Sequence, residues 1–552
     1  MQIIKTVVRL LIIVVPFSAG AQSTFLQQGA KDYILLDRLE IKLQKDSLLN
    51  FSFLKPFPRK WWVNTLEKVK ADVNNNLSRV DEHNLQSALM NNSEWVTGSK
   101  ESFQSKKSLW NTFYKTQSNF LEVDQEDFFL SVNPVLQLQA MKENNNNEFL
   151  YLNTRGLVAR GLIAKKLGFQ TYLSENQERG PLFLQNRISG FRAVPGAGFY
   201  KAFKRTGVDY FDARGYITFN AAKFINFQFG YDRNFIGNGY RSLFLSDYSN
   251  NMLFLKINTR VWKLNYNFMV MELTPQYKRG ATDSLLSKKY AAIHHISFNA
   301  PKWLTFGVFE GIAFGRKDRF DFLYLNPVIF LRPVEQQAGS PDNALIGFDI
   351  KANVARRFQF YTQVMLDEFK LSEIRNGTGW WANKWALQLG GKYIDAFGLK
   401  NLDLHAEANW VRPFTYSHTD TVANYTHYNQ PLAHPLGADF RELVLIARYQ
   451  PAPKWYIQGR IVSYLQGVDT GGANLGNSIF LPNTTRPFNY GYKIVTGTES
   501  KVVNANLYLA YEWEENFFIE ASLLLRKITG SSNSTTASLG IRWNMHRREY
   551  DY

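Results

Sequence analysis

"ALIGFDIKANV" (Ala344–Val354) carries two interleaved sets of residues. Ile346, Phe348, Ile350 and Ala352 recur at every second position, and Gly347, Asp349, Lys351 and Asn353 fill the positions between. A period of two sends successive side chains to opposite faces of an extended chain. The segment is therefore a strand with one apolar and one polar face. "VVNANLYLAYEW" repeats the pattern, with Val503, Ala505, Leu507 and Leu509 opposite Asn504, Asn506, Tyr508 and Ala510. In "FFIEASLLLR", Phe517, Ile519, Ala521, Leu523 and Leu525 separate from Phe518, Glu520, Ser522, Leu524 and Arg526.

Alternation fits a soluble sandwich as well as a barrel, so the connections decide. From about Asp124 to the C-terminus there are about 18 such segments. Their links alternate between tight turns, "NAAKF", "VWK", "APKW", "ARRF", "PAPKW" and "EEN", and long stretches at 179–206, 233–251, 275–288, 316–343, 412–436 and 466–499. An even number of antiparallel strands with short turns at one rim and long loops at the other is the pattern of a closed outer-membrane β-barrel. Each tight turn also carries an aromatic residue, among them Trp262, Trp303, Trp455 and Trp513. Amphipathic rings favour the membrane interface, so these four are expected to anchor the periplasmic rim. "APKW" occurs at both 300–303 and 452–455 because two turns meet the same requirement: Pro ends the ladder, Lys reaches the headgroups and Trp seats the next strand.

The 552-residue chain has no Cys, which excludes disulfides, thiolate metal sites and thiol nucleophiles. No apolar run reaches the roughly 18 residues of a membrane-spanning helix. Residues 1–21 read as a secretory signal peptide, with Lys5 and Arg9 in a basic start, apolar Val7–Val15 and the cleavage site Ala19-Gly20-Ala21. Residues 22–123 read as a mainly helical periplasmic region. Trp62, Leu66, Val69 and Val73 fall at helical spacing, as do Phe103, Trp110 and Phe113, and "FSFLKPFPRKWW" between them, with two prolines, is a loop or extended link. The barrel is expected over 124–546, with "SLGIRWNM" as its last strand and 547–552 as a short periplasmic tail.

Five stretches, in order, resemble the Wzi-like capsule-assembly family, especially its Bacteroidetes members, some of them linked to gliding motility. They are "NTRGLVARG" (153–161), "TYLSENQERGP" (171–181), "FGYDRNFIGNGYRSLFLSDYSNN" (229–251), "LNPVIFLRPVEQQAGSPDN" (325–343) and "RPFTYSHTDTVANYTHYNQPLAHPLGADFRE" (412–442). The resemblance implies a lectin-like barrel of 18 strands with a periplasmic helical part, holding capsular polysaccharide at the cell surface without catalysis.

The chain carries a net charge of +17, and the acidic partners open to a basic loop of an outer-membrane protein are acidic polysaccharide or lipopolysaccharide phosphate rather than nucleic acid. In the loop 179–206, Arg179, Arg187, Arg192, Lys201 and Lys204 interleave with Phe199 and Tyr200, offering guanidinium forks for uronate carboxylates and rings for sugar faces. The loop 412–436 holds three of the eight His, His418, His427 and His434, with Tyr416 and Tyr428 among its aromatics. Its His spacing does not suit a metal. Tyr416, His418 and Tyr428 join the polysaccharide-binding candidates. "YSHTD" cannot converge as a triad, and no G-x-S-x-G elbow is present, so no enzyme is expected. Gly237 and Gly239 in "GNGYRS" are read as turn glycines at positive φ.

Alternation points Asp403, His405, Glu407 and Asn409 into the bore, with Lys384, Gln388 and Lys392 on the preceding strand. This is the pattern of a lumenal charge network that stiffens the wall or closes the bore. An empty barrel of this size is an aqueous channel, so a porin or gated pore is the competing reading. The loop 316–343 is a candidate constriction if it folds inward. Residues 22–123 offer a docking surface for another envelope protein.

Overall fold

The structure, a computed structural model, describes residues 23–72, 77–105, 109, 112–144, 146–277, 285–530 and 532–552. The expected signal peptide, Val73 and Trp110 lie outside the described residues. The chain forms a closed barrel of 18 antiparallel strands. In chain order they are β1 Phe128–Glu143, β2 Leu150–Ile163, β3 Leu167–Arg179, β4 Gly207–Ala222, β5 Ile225–Asp232 and β6 Met252–Val261. Then come β7 Leu264–Leu273, β8 Lys289–Asn299, β9 Leu304–Phe314, β10 Asn343–Val354, β11 Phe358–Glu368 and β12 Lys384–Tyr393. The last six are β13 Leu402–Val411, β14 Phe440–Tyr449, β15 Trp455–Val468, β16 Thr498–Glu514, β17 Phe517–Ile528 and β18 Ser534–Trp543. The ring closes where β18 pairs with β1, Trp543 opposite Leu136.

Burial divides along every second residue. On β10, Phe348 is 46% exposed while Asp349 and Lys351 are buried, and on β16 Leu507 and Leu509 face out while Asn504 faces in. The outer face is an apolar belt and the inner face is polar, the reverse of a soluble barrel. No helix among the described residues is long and apolar enough to cross a membrane. Trp262, Trp303, Trp455 and Trp513 all lie exposed in or beside the tight turns. The rims are less strictly alternating than the sequence suggests: 144–149 and 529–533 are brief links on the long-loop rim, and 394–401 is an extended one on the short-turn rim.

Three helices, α1 Asp32–Leu43, α2 Arg59–Ala71 and α3 Arg79–Asn91, form a cap at the short-turn rim. Trp62, Leu66 and Val69 of α2 are buried against Leu35, Leu36 and Leu39 of α1. Ser78 caps α3 by accepting the Asp81 N–H, and the Asp81 carboxylate accepts the Ser78 N–H in return. Phe103 and Phe113, expected on one helical face, are not in an α-helix. Phe103 ends a single 3-10 turn, and Phe113 lies in an irregular segment, stacked on Phe120 with centroids 4.5 Å apart. Ring stacking replaces helical periodicity in that stretch.

Phe348→Arg, which puts a charge on the outer face, is expected to destabilise the folded barrel by about 2–4 kcal/mol, read from the midpoint of denaturant unfolding in lipid vesicles.

Candidate functional site

The bore is filled by three inserted segments. The first is 49–58, the link between α1 and α2. Phe51 and Phe53 are buried in the lumen, and Leu54–Lys55 pairs antiparallel with Phe235–Ile236. The second is the loop 233–251, which dips from the long-loop rim. Phe244 stacks on Phe309 of β9 at 4.6 Å, and the Leu243 N–H donates to the Gln363 side chain at 2.9 Å.

The third segment is 544–552. The sequence placed 547–552 outside the barrel, but the segment turns back from Trp543 and runs up the bore. Arg547 lies 3.8 Å over the Tyr508 ring, and Glu549 pairs with Arg460 at 2.5 Å. Asp551 pairs with Arg241 of the second insert at 3.3 Å and accepts from Tyr240. Arg548 pairs with Glu178 of β3 at 2.8 Å, and Tyr552 packs under Arg187 at 4.6 Å. The reason for the difference is charge. Arg548, Glu549 and Asp551 find buried counter-charges inside, and Arg547 pairs with Glu549 at 2.6 Å, so the polar segment fits the polar bore.

The expected lumenal residues all face inward, and Glu407 meets the second insert. Glu407 accepts from Tyr361 Oη at 2.7 Å, from the Tyr240 N–H at 2.7 Å and from the Arg241 N–H at 3.1 Å. His405 Nε2 is 2.5 Å from the same Tyr361 hydroxyl. Gly239 is required by close approach rather than by positive φ, because a Cβ there would run into the Glu407 carboxylate. Lys384 pairs with Asp367 at 2.8 Å and Glu368 at 2.9 Å on β11, not with β13. Lys392 pairs with Asp37 of the cap at 2.9 Å, and Asp403 with Arg38. Arg38 also meets Asp81 at 3.2 Å and Asp395 at 2.8 Å. Burial opposes the charge of Asp395, but Arg38 and Lys42 outweigh it and hold the carboxyl at about 2. Beside the inserts a cavity of about 560 Å³ remains, lined by Tyr33, Lys55, Tyr240, Arg448 and Tyr456 among others.

The long-loop rim sorts the expected polysaccharide residues into two groups. Arg187 is half-buried and turned inward. It lies on a helix, α4 Leu182–Phe191, within what reads as a loop, and donates inward to Tyr248 Oη at 2.8 Å and Pro435 O at 2.7 Å. Tyr416 is also buried, donating to Leu243 O at 2.9 Å and stacking on Tyr425. His418 is half-buried, its Nδ1 accepting the Asp420 N–H at 3.2 Å, and Arg179 is half-buried against Tyr151 and Glu148. The loop 412–439 closes the top of the bore, and its polar groups turn inward to satisfy one another.

Arg192, Phe199, Lys201 and Lys204 are exposed, and Tyr200 and Tyr428 are half-buried. Phe199, Tyr428 and Arg192 gather around Tyr277, which no sequence pattern singles out. Phe199 lies 6.4 Å and Tyr428 6.0 Å from its ring, and Tyr277 Oη donates to Arg192 O at 3.1 Å. Asn429 fixes the arrangement, accepting the Tyr277 N–H at 2.9 Å and donating to Phe191 O at 3.0 Å. A second rim cluster was also missed: Arg486 lies 3.9 Å over Trp381, and Tyr490 is exposed beside it. Both clusters join loops distant in sequence, which local pattern cannot reveal.

His427 and His434 act as loop braces. His427 Nδ1 accepts the Thr274 N–H at 2.9 Å, so Nε2 donates to Asn251 O at 2.9 Å. Burial pushes its pKa down to about 3. His434 Nδ1 accepts the Leu436 N–H, leaving Nε2 to donate to Glu442 at 2.8 Å. No group of three or more metal-ligating side chains occurs among the described residues.

With this geometry in hand, solved structures supply a comparison. The fold is similar to that of Wzi. That protein, an outer-membrane protein involved in group 1 capsule assembly in Escherichia coli, is a carbohydrate-binding β-barrel, and the match covers 96% of this chain and all of Wzi at 14% identity with a TM-score of 0.58. Two Pseudomonas aeruginosa barrels match less well. OprD has 9% identity and a TM-score of 0.43 over 75% of this chain and 94% of its own. OpdK, solved with vanillate, has 7% identity and a TM-score of 0.43 over 75% of this chain and 98% of its own. At such identities the likeness to Wzi concerns the fold. No family model matches the sequence, and no curated protein does.

Arg38→Ala leaves Asp81, Asp395 and Asp403 without their shared cation. Removing one partner of a buried ion pair costs about 3–5 kcal/mol, so the cap is expected to undock and trypsin to cleave 23–123 from the folded barrel faster than in the unchanged protein. For His427, the unfolded chain takes up a proton near pH 6.5 that the folded protein refuses until about 3. Its contribution to stability is present above 6.5 and is lost as the pH falls through that window. The drop in urea midpoint from pH 7 to pH 4 should therefore be smaller in His427→Gln.

Proposed function

We propose that this protein is a non-conducting outer-membrane barrel that holds an acidic polysaccharide on its long-loop face. The observation that carries the reading is the filled bore. Three segments cross the lumen, bound to the wall by buried ion pairs such as Glu549–Arg460, Arg548–Glu178 and Arg241–Glu442. A solute path through them would require breaking charge pairs that have no water to replace them. The loop surface remains as the place where a polymer can be held.

In this reading the long loops face the outside and the cap lies in the periplasm. The surface around Tyr277 has the chemistry for the task. Phe199, Tyr277 and Tyr428 offer ring faces for pyranose carbons, Arg192 beside them offers a cation for carboxylates, and exposed Lys201 and Lys204 follow Phe199 on the same loop. The fold it shares with Wzi, a carbohydrate-binding barrel, supports the same reading. The residual cavity of about 560 Å³ favours a second reading, a gated solute channel in which the 544–552 segment moves aside.

Two measurements separate them. Purified full-length protein in a planar bilayer is expected to be nearly silent, and sustained conductance would favour the channel. On an array of acidic and neutral glycans, the protein is expected to bind acidic polymers. Tyr277→Ala combined with Arg192→Ala and Lys204→Ala should weaken that binding by about tenfold or more, since each buried ring or charge-assisted contact contributes on the order of 1 kcal/mol. Unchanged binding would remove this surface from the proposal.

A further inference from the structure

The loop between β9 and β10, residues 315–342, was a candidate for folding inward. It folds the other way. On β9, Phe309 and Ala313 face the bore, while Phe306, Glu310, Ile312 and Phe314 face out. Phe306 is 44% exposed, as a belt residue should be, yet Glu310, Ile312 and Phe314 are buried. So are the outward-facing Phe268 and Val270 of β7 and Ala292 and His294 of β8. The loop covers them. Tyr324 and Leu331 pack onto this outer patch with Phe268, Ile312 and Phe314. Arg316 closes the loop by a bidentate pair with Asp342, both contacts at 2.7 Å.

What lies beneath is unusual for a membrane-facing wall. Glu310 and His294 are cross-strand neighbours on the outer face near mid-strand, where polar groups in hydrocarbon are costly. The loop satisfies Glu310 directly and reaches His294 through Tyr266. Glu310 accepts the N–H groups of Leu331 and Arg332, both at 2.7 Å, at the start of a short helix, α5 Leu331–Gln337. His294 Nδ1 is 2.9 Å from Tyr266 Oη, which donates to Pro327 O. The loop thus reaches down the outside of the wall to the level of Tyr266 on β7.

Its outer surface carries an apolar stretch, in which Phe322 is 77% exposed, Val328 85% and Phe330 62%. The belt continues at the same height on the neighbouring strand, where Ile346, the register partner of Glu310, is exposed. Inside hydrocarbon, irregular backbone is tolerated only where its polar groups find partners in the protein. Here the Leu323 N–H is accepted by Asp321, the Val328 N–H by Asn326, and those of Leu331 and Arg332 by Glu310.

From these observations we infer that residues 315–342 form an intramembrane flap whose outer face, Phe322, Val328 and Phe330, contacts lipid acyl chains in place of the wall of β7–β9. The flap carries the apolar belt over a wall patch in which Glu310 and His294 are buried among apolar side chains. Glu310 is its positioning residue, holding the start of α5 against the wall.

The chain has no Cys, so a single introduced thiol can be spin-labelled in the full-length protein. The label is placed at Val328→Cys, at Phe330→Cys, at Phe348→Cys on the bare wall and at Asn376→Cys on another long loop. Proteins are reconstituted in phosphatidylcholine vesicles, and folding is checked by heat-dependent migration in detergent gels. Collision rates with oxygen, which concentrates in hydrocarbon, and with a water-soluble nickel chelate are then compared. The oxygen-to-nickel ratio at 328 and 330 should match that at 348 and exceed that at 376 by about tenfold, as expected across an apolar belt. A ratio at 328 and 330 equal to that at 376 would place the flap in water and overturn the inference. Low collision with both agents that recovers when protein is diluted in lipid would also overturn it, assigning the surface to a second copy of the chain.

Discussion

Hydrocarbon offers no partner for a backbone N–H or C=O, so a chain that spans it in extended form must bond strand to strand and close on itself. That constraint governs the rest of this molecule. Closing the wall leaves an outer face in contact with lipid and an inner face out of its reach, and alternation delivers apolar side chains to one and polar ones to the other. Phe348 faces out and Asp349 faces in for the same reason that Leu507 faces out and Asn504 faces in. The 18-strand ring then encloses a volume that its own side chains are too short to fill.

The contents of that volume follow from the charges on the inner wall. Arg460, Glu178, Glu407 and Lys392 are buried, and a buried charge is stable only when paired and hydrogen-bonded. The inserts supply the partners: Glu549 and Asp551 from the 544–552 segment, Arg548 for Glu178, the Tyr240 and Arg241 N–H groups for Glu407, and Asp37 of the cap for Lys392. The cap, the dipping loop and the last residues are thus held by one electrostatic system. That system fills most of a pore-sized ring with segments paired to its wall.

Much of the wall was legible because each strand announces its faces locally. The lumenal positions of Lys384, Lys392, Asp403, His405 and Glu407 follow from parity along the strands, and the tryptophans at the turns follow from the preference of amphipathic rings for the membrane interface. Their partners do not. Lys384 meets Asp367 and Glu368 on the strand before it, and Asp403 meets Arg38, which lies far away in sequence. Long loops were least legible. Arg187 and Tyr416 look like surface residues by composition, yet both are drawn inward by partners on other loops, and Tyr277 gains its place only where three loops meet.

The period of two, the alternation of tight and long links, and the aromatic turns determined by themselves that this chain is a closed barrel with a polar interior. Those are local consequences of pleat geometry and of solvent on each face. Whether the interior is open, which cations and aromatics reach the loop surface, and that the 315–342 segment lies outside the wall were decided only by tertiary structure. Burial of a charge or a ring depends on which distant segment arrives to cover it, and no local pattern encodes that arrival.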